Sequence, residues 1–292
     1  MQQRIAVKTA LQKVDPLLLC ISVIHCRFSI LNSPVSYPAL KITFLGTGTS
    51  SGVPMIACDC EVCTSTDKRD NRLRSSILVQ SATTTLVVDT TPDFRYQMLR
   101  AGVKKLDAVL FTHPHKDHIA GLDDIRAFNY VQQQAMHVYA NEMTRKELKR
   151  EFEYAFAEHK YPGIPEIKLV TIAADPFMVG DIPVTPILVW HLHMRVFGFR
   201  FGKFIYITDA NRIDEAEKQK IVGCDTIVLN ALRKEKHISH FTLAEAIAMV
   251  NELKVPNAYF THISHQLGKH ETVDGELANG LHLAYDDLVL EF

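Results

Sequence analysis

The sequence predicts an α/β fold, on three observations. From Lys41 onward, short β-rich runs interleave with helix-like stretches. They come as strands then helices, twice over. That order suits two sheets packed face to face with helices outside, and alternation alone also allows a doubly wound sheet. The chain has 292 residues, enough for one large domain with a full core.

Taken in order, residues 1–40 do not match the rest. Arg4, Lys8 and Lys13 precede an apolar run over 17–24, which His25 and Arg27 interrupt. The run is too short and too broken for a membrane span. Its layout is that of a signal peptide, but no small-x-small cleavage site follows. The expectation is an N-terminal extension over 1–40, disordered or read from an upstream start, and one domain over 41–292. A cytoplasmic location goes with this reading, and an exported one follows if 1–40 act as a signal.

Residues 41–44 open the first strand. Residues 76–80 and 84–89 read as a hairpin around Ser81-Ala82-Thr83. Pro92 and Asp93 open a helix that ends near Gly102. Residues 108–111 form a buried strand. Residues 142–158 are rich in Glu, Lys, Met and Ala at helical spacing. Tyr161-Pro162-Gly163-Ile164-Pro165 breaks that pattern. Residues 184–189, 196–201 and 203–208 are strands. Thr242 and Glu245, at capping-box spacing, start a helix that runs to Leu253. Net charge is −1 at neutral pH and apolar content is 47%. No basic excess announces a broad nucleic-acid footprint.

Thr112-His113-Pro114-His115-Lys116-Asp117-His118 carries the densest chemistry. Three imidazoles and a carboxylate follow directly on the buried strand 108–111. His113 and His115 are two apart, so extended backbone points both to one side. Asp117 and His118 can converge on the same space from the turning loop. Imidazole nitrogen and carboxylate oxygen are ligands that zinc, manganese and iron share. Four donors exceed what one open catalytic metal takes, so the spacing suggests two metals side by side. Single loop histidines are commonly surface residues, but four potential ligands in six positions at a strand end are not explained that way.

His-x-His-x-Asp-His resembles the signature of the metallo-β-lactamase superfamily. The resemblance implies further ligands from a later His, a later Asp at a strand end and a C-terminal His. His191 follows the apolar run 187–190, Asp209 follows 204–208, and His262 follows 258–261. The resemblance then assigns His113, His115 and His191 to one metal, Asp117, His118 and His262 to the other, and Asp209 to both. Asp89, after 86–88, matches an early Asp that supports a ligating histidine. His193 would face the same way as His191 in a strand. The strand-end rule favours His191 as ligand, with His193 supporting or facing substrate. The superfamily resemblance selects the four-layer αββα sandwich from the two architectures left open.

Cys58-Asp59-Cys60-Glu61-Val62-Cys63 places three thiols in six residues. Thiols this close point to zinc ligation more than to disulfides. A closed structural site takes four ligands, and His265, three residues after His262, is the candidate fourth. The polar residues among and after these cysteines do not suit a buried reduced cluster. A Cys-x-Cys-x-x-Cys loop after a Gly-Thr-Gly turn, with His-x-x-His near the C-terminus, resembles the PhnP branch of the superfamily. The likeness covers roughly residues 41 to 292. That branch acts on cyclic ribose phosphates.

The resemblance implies a metal-dependent phosphodiesterase acting on a small cyclic or diester phosphate. Its cofactors would be two divalent ions, zinc or manganese, and one structural zinc. Asp117 and Asp209 would act with the metals, and His240, just before the Thr242 helix, would be the general acid. His237 is the alternative acid, or a phosphate contact with Arg233, Lys234 and Lys236; solvated loop charges are the plain account of these. Other hydrolases of the fold, on tRNA ends, thioesters or lactams, are the alternatives. Pro114 and Lys116 stand where the tRNA-maturing endonucleases carry a glycine before the Asp, and no long basic arm is present, which weighs against a nuclease. A metal-binding module without activity is the third class, against which the complete ligand set argues. A small phosphodiester is the expected partner, with no membrane, and a homodimer is the oligomer to look for.

Overall fold

The computed structural model describes residues 37–159 and 161–292. The expectation for residues 1–40 therefore falls, up to Ser36, outside the described residues. Tyr37 to Phe292 form one compact unit. Leu40 and Phe292 exchange backbone hydrogen bonds of 3.0 and 2.9 Å, which joins the start of this unit to the chain's last residue.

Seven strands make the first sheet, β1 (Lys41–Gly46), β2 (Ser76–Gln80), β3 (Thr85–Val88), β4 (Ala108–Leu110), β5 (Met136–Ala140), β6 (Ile167–Thr171) and, at the far end of the sequence, β15 (Val289–Glu291). Their order is β15-β1-β2-β3-β4-β5-β6. The second sheet holds β7 (Phe177–Val179), β8 (Ile182–His191), β9 (Met194–Phe201), β10 (Phe204–Ile207), β11 (Arg212–Ile213), β12 (Thr226–Asn230), β13 (Asn257–Thr261) and β14 (Leu281–Leu283). Its order is β11-β8-β9-β10-β12-β13-β14, with β7 paired to β8. The helices are α1 (Phe94–Arg100), α2 (Lys116–Ile119), α3 (Arg126–Gln132), α4 (Glu142–Glu151), α5 (Glu153–Phe156), α6 (Glu215–Lys218), α7 (Leu243–Leu253) and α8 (His270–Gly275). No helix among the described residues is long and apolar enough to cross a membrane.

Alternation along the strands builds the layers. Leu86 and Val88 of β3, with Phe44, meet Phe204 and Tyr206 of β10 in the core between the sheets. Val87 of β3 turns the other way, toward Phe94, Met98, Phe128 and Leu148 on the helices. Ile205 and Ile207 of β10 likewise pack on Ala246 and Val250 of α7. One sheet pair with helices on both outer faces is the four-layer sandwich expected above. Thr242 and Glu245 form the capping box that starts α7.

Arg72 is buried beside the loop that follows β1. Its guanidinium donates to Thr47 Oγ1 at 2.9 Å, to the Ala284 carbonyl, and to His270 Nδ1 at 3.0 Å. Burial, with the Arg72 charge beside it, pushes His270 down to about 4. In the unfolded chain an imidazole titrates near about 6.5. The unfolded state therefore binds the extra proton first as pH falls. Stability from this group is complete above about pH 6.5 and is lost as pH drops toward 4. His270→Gln, which can still accept from Arg72, should flatten the stability curve in that window by up to about 1.4 kcal/mol per pH unit. Urea titrations from pH 4 to 7.5 read this directly, and parallel curves for the two proteins would refute it.

Candidate active site

The ends of five strands bring the histidines and aspartates together. Asp89 follows β3, His113 and His115 follow β4, His191 ends β8, Asp209 lies just past β10, and His262 follows β13. Asp117 and His118 come from the short α2, seated close against the segment after β3. The Gly121 amide donates to the Thr90 carbonyl at 2.9 Å. A Cβ on Gly121 would come within 2.1 Å of the Thr91 carbonyl oxygen, so this position needs glycine. Three of the site residues have left-handed backbone: Asp89 at φ 67, Asp209 at φ 53 and His262 at φ 56. Such geometry in a non-glycine residue costs about 1–3 kcal/mol. It turns the chain sharply at the strand end.

Two groups form, and Asp209 belongs to both. His113, His115 and His191 make one with it; Asp117, His118 and His262 make the other, with ligand-type atoms within 4.8 Å of one another in each. Asp209 Oδ2 lies 3.0 Å from His118 Nε2 and 3.3 Å from His113 Nε2, while Oδ1 lies 2.8 Å from His262 Nδ1. His113 Nε2 is 3.0 Å from His115 Nδ1, and the His191 ring centroid is 5.1 Å from that of His115. His118 Nε2 and His262 Nδ1 are buried without a hydrogen-bond partner among the described residues. Nitrogen and carboxylate donors this close, with lone pairs turned inward, fit divalent cations.

Neighbouring groups fix the direction of each ring. Asp89 accepts from the Thr112 amide at 2.9 Å, the Thr112 hydroxyl at 2.8 Å and His118 Nδ1 at 2.8 Å. With its hydroxyl proton given to Asp89, Thr112 Oγ1 accepts from His113 Nδ1 at 2.9 Å. His191 Nδ1 donates to the Ser239 carbonyl at 2.9 Å. In each case the remaining nitrogen is freed to face the cluster. Thr208 adds a 2.8 Å hydroxyl bond to Asp209. Thr112, Thr208 and Ser239 were not singled out from the sequence. Their one signal is adjacency to a ligand or to the proposed acid.

Burial and neighbouring charge set the protonation. Burial, helped by the His118 charge, pushes His113 down to about 3. His118 is different: Asp117, Asp209 and Asp89 outweigh its burial and hold its imidazolium well above the usual range. Burial of Asp209 is outweighed in turn by His262 and His118, which keep its carboxyl well below the ordinary value.

His193 stands apart. Leu192, at φ 56, and His193 form the two-residue turn between β8 and β9, where His191 pairs with Met194. His193 is exposed on that turn, because the strand ends before the two-residue period can bring it back. Lys116, between the ligands in sequence, turns outward to pair with Glu151 of α4. His240 lies inside the cluster, its ring 4.7 Å from that of His191 and 4.9 Å from that of His262. Its Nε2 is buried, unpartnered among the described residues, and 3.9 Å from Asp209 Oδ1. His237 is set farther out, with its ring 5.0 Å from that of His240.

The three clustered cysteines meet His265, as their spacing suggests. Cys58 Sγ and Cys60 Sγ each lie 3.3 Å from His265 Nδ1, and Cys63 completes the group. His265 holds the Cys60 thiol down to about 6, whereas burial pushes Cys63 up to about 11. Three adjacent sulfurs become thiolates together only beside a cation, so this donor set fits a closed zinc site. The loop is otherwise poor in core, with Ile56 exposed. Cys60→Ser should therefore lose zinc and several degrees of melting temperature, at about 2–4 °C per kcal/mol. Elemental analysis and a thermal melt check this, and an unchanged zinc content and melt would remove the site.

The family model for the β-lactamase superfamily domain matches residues 84–263. The octanoyltransferase of Porphyromonas gingivalis is 36% identical over 252 residues, which are 85% of this chain and 51% of that protein. The chain thus spans about half the length of that relative. The crystal structure of a new diphosphatase from the PhnP family is 40% identical, with a TM-score of 0.83 over 88% of this chain and 98% of that one. Zn(2+)-bound PqqB from Methylobacterium extorquens, at 21% identity and a TM-score of 0.71, covers 86% of this chain and 100% of its own, and shares the fold.

Proposed function

From a chain that belongs to the metallo-β-lactamase superfamily, we propose a hydrolase of that fold, a metal-dependent phosphodiesterase for a small cyclic or diester phosphate. The observation that carries this reading is His240. Its Nε2 is buried, has no partner among the described residues and faces the cluster around Asp209. The alcohol of a phosphate ester leaves as an alkoxide and needs a proton at that moment, whereas a thiolate needs little help.

His113, His115 and His191 would hold one divalent ion and Asp117, His118 and His262 the other, with Asp209 shared. Zinc or manganese bound there would supply a water of lowered pKa and neutralise charge on a phosphoryl oxygen. The protein's own part is to fix directions. Asp89 and Thr112 orient His118 and His113, and the Ser239 carbonyl orients His191. His240 Nε2 gives its proton to the departing oxygen. A structural zinc in the cysteine group and a reducing, cytoplasmic location complete the reading.

A second reading has an observation behind it: the PhnP-family structure at 40% identity is a diphosphatase. A diphosphate releases phosphate, a good leaving group that gains little from an acid. Turnover of a five-membered ribose cyclic phosphate, bis-p-nitrophenyl phosphate, a nucleoside diphosphate, lactoylglutathione and nitrocefin should be compared on metal-analysed protein. Turnover of the cyclic phosphate supports the diesterase. Activity on the diphosphate alone assigns the second reading, and activity on the thioester or lactam alone rejects both.

A further inference from the structure

The loop before α7 turns two histidines toward each other. His240 Nδ1 lies 3.1 Å from His237 Nδ1 and 3.0 Å from Ser239 Oγ. Ser239 Oγ is 3.3 Å from His237 Nδ1, and the Ser239 amide donates to that same nitrogen at 3.4 Å. A backbone amide can only donate. His237 Nδ1 therefore carries the lone pair. Two nitrogens at 3.1 Å share one proton, and that proton belongs to His240 Nδ1. The hydrogen bond at one imidazole nitrogen decides what the other can do.

Resting on the phosphodiesterase reading, we propose that His237 is a positioning residue. It locks His240 with a permanent proton on Nδ1, so that Nε2 alone trades a proton with the substrate. Ser239 Oγ assists by facing both nitrogens. The loop is held for this task. The Ser239 carbonyl accepts from His191, the Ile238 carbonyl accepts from Asn211 Nδ2 at 3.0 Å, and Arg233 bonds the Lys236 carbonyl at 3.2 Å.

In each turnover water forms a P–O bond and the P–O bond to the leaving oxygen breaks. The electron pair stays on that oxygen, and a proton that Nε2 has taken from the attacking water joins it. His240 is left neutral with its proton on Nδ1. Nε2 thus carries a proton only between the two transfers. The arrangement parallels a catalytic histidine oriented by a carboxylate, with a neutral imidazole as the orienting acceptor.

Long-range proton–nitrogen spectra of nitrogen-15-labelled protein test the lock without substrate, on metal-free and zinc-loaded samples. Neutral His240 should carry its proton on Nδ1 and His237 on Nε2. His237→Leu should lower kcat for a ribose-type diester by about 10–100-fold with little change in KM, the range for losing a partner that orients a site histidine. His237→Asn should recover most of that loss, because Asn Oδ1 can accept where Nδ1 did. A neutral His240 protonated on Nε2 overturns the proposal, as does a His237→Leu protein with wild-type kcat. Absence of diester turnover by the wild type counts against the phosphodiesterase reading instead, and the tautomer still decides this one.

Discussion

Asp209→Ala protein should emerge from metal loading with fewer active-site ions than the wild type and with its hydrolytic activity essentially abolished. Asp209 is the residue common to both ligand groups, and its two oxygens divide between them. Losing a partner that only orients a ligand costs about 10–100-fold in metal affinity or activity. Losing a direct, shared ligand should exceed that. The carboxylate is buried and faces three imidazoles, so Asp209→Asn, close in volume, serves as the control that the fold persists. Elemental analysis, circular dichroism and a bis-p-nitrophenyl phosphate assay on the same samples decide the matter. Full loading and full activity in Asp209→Ala would eliminate the assignment.

His240→Ala should keep its metals and lose about 10²–10⁴ in kcat on an alkyl or ribose leaving group, the usual range for a positioned acid. With p-nitrophenol as the leaving group the loss should shrink, because that oxygen departs without a proton. The split follows from geometry. Nε2 faces the cluster, while Nδ1 is already engaged by His237 and Ser239. Equal losses on both substrates would instead make His240 a metal-supporting or substrate-placing residue.

Much of this site was legible because its donors follow apolar runs. Four lie in the eight residues after β4, and Asp89, His191, Asp209 and His262 each mark the point where a buried strand stops. The layer order did not follow from pattern alone: Leu86, Val87 and Val88 are all apolar yet alternate between two cores, and the superfamily resemblance was needed to choose the sandwich over a doubly wound sheet. What stayed hidden is set by distant pairing or by single torsions. Nothing local says that Val289–Glu291 closes the first sheet against β1, or that Arg212–Ile213 adds an edge to the second. The choice between His191 and His193 hung on one left-handed residue, Leu192. The positive φ values at Asp89, Asp209 and His262 carry no glycine to flag them. The hydroxyls of Thr112 and Thr208 are invisible until the rings they touch are placed.

Only two residues of chain separate His262, in the histidine–aspartate cluster, from His265, among the cysteines. The residue after His262, Ile263, is bonded both ways to the loop that leads to those cysteines: it donates to the Thr47 carbonyl at 2.9 Å and accepts from the Thr49 amide at 3.0 Å. Ions bound at the two places would thus order one common segment. Any order that the first ion imposed on that segment would lower the cost of binding the second. Thermodynamic reciprocity makes the effect equal in both directions.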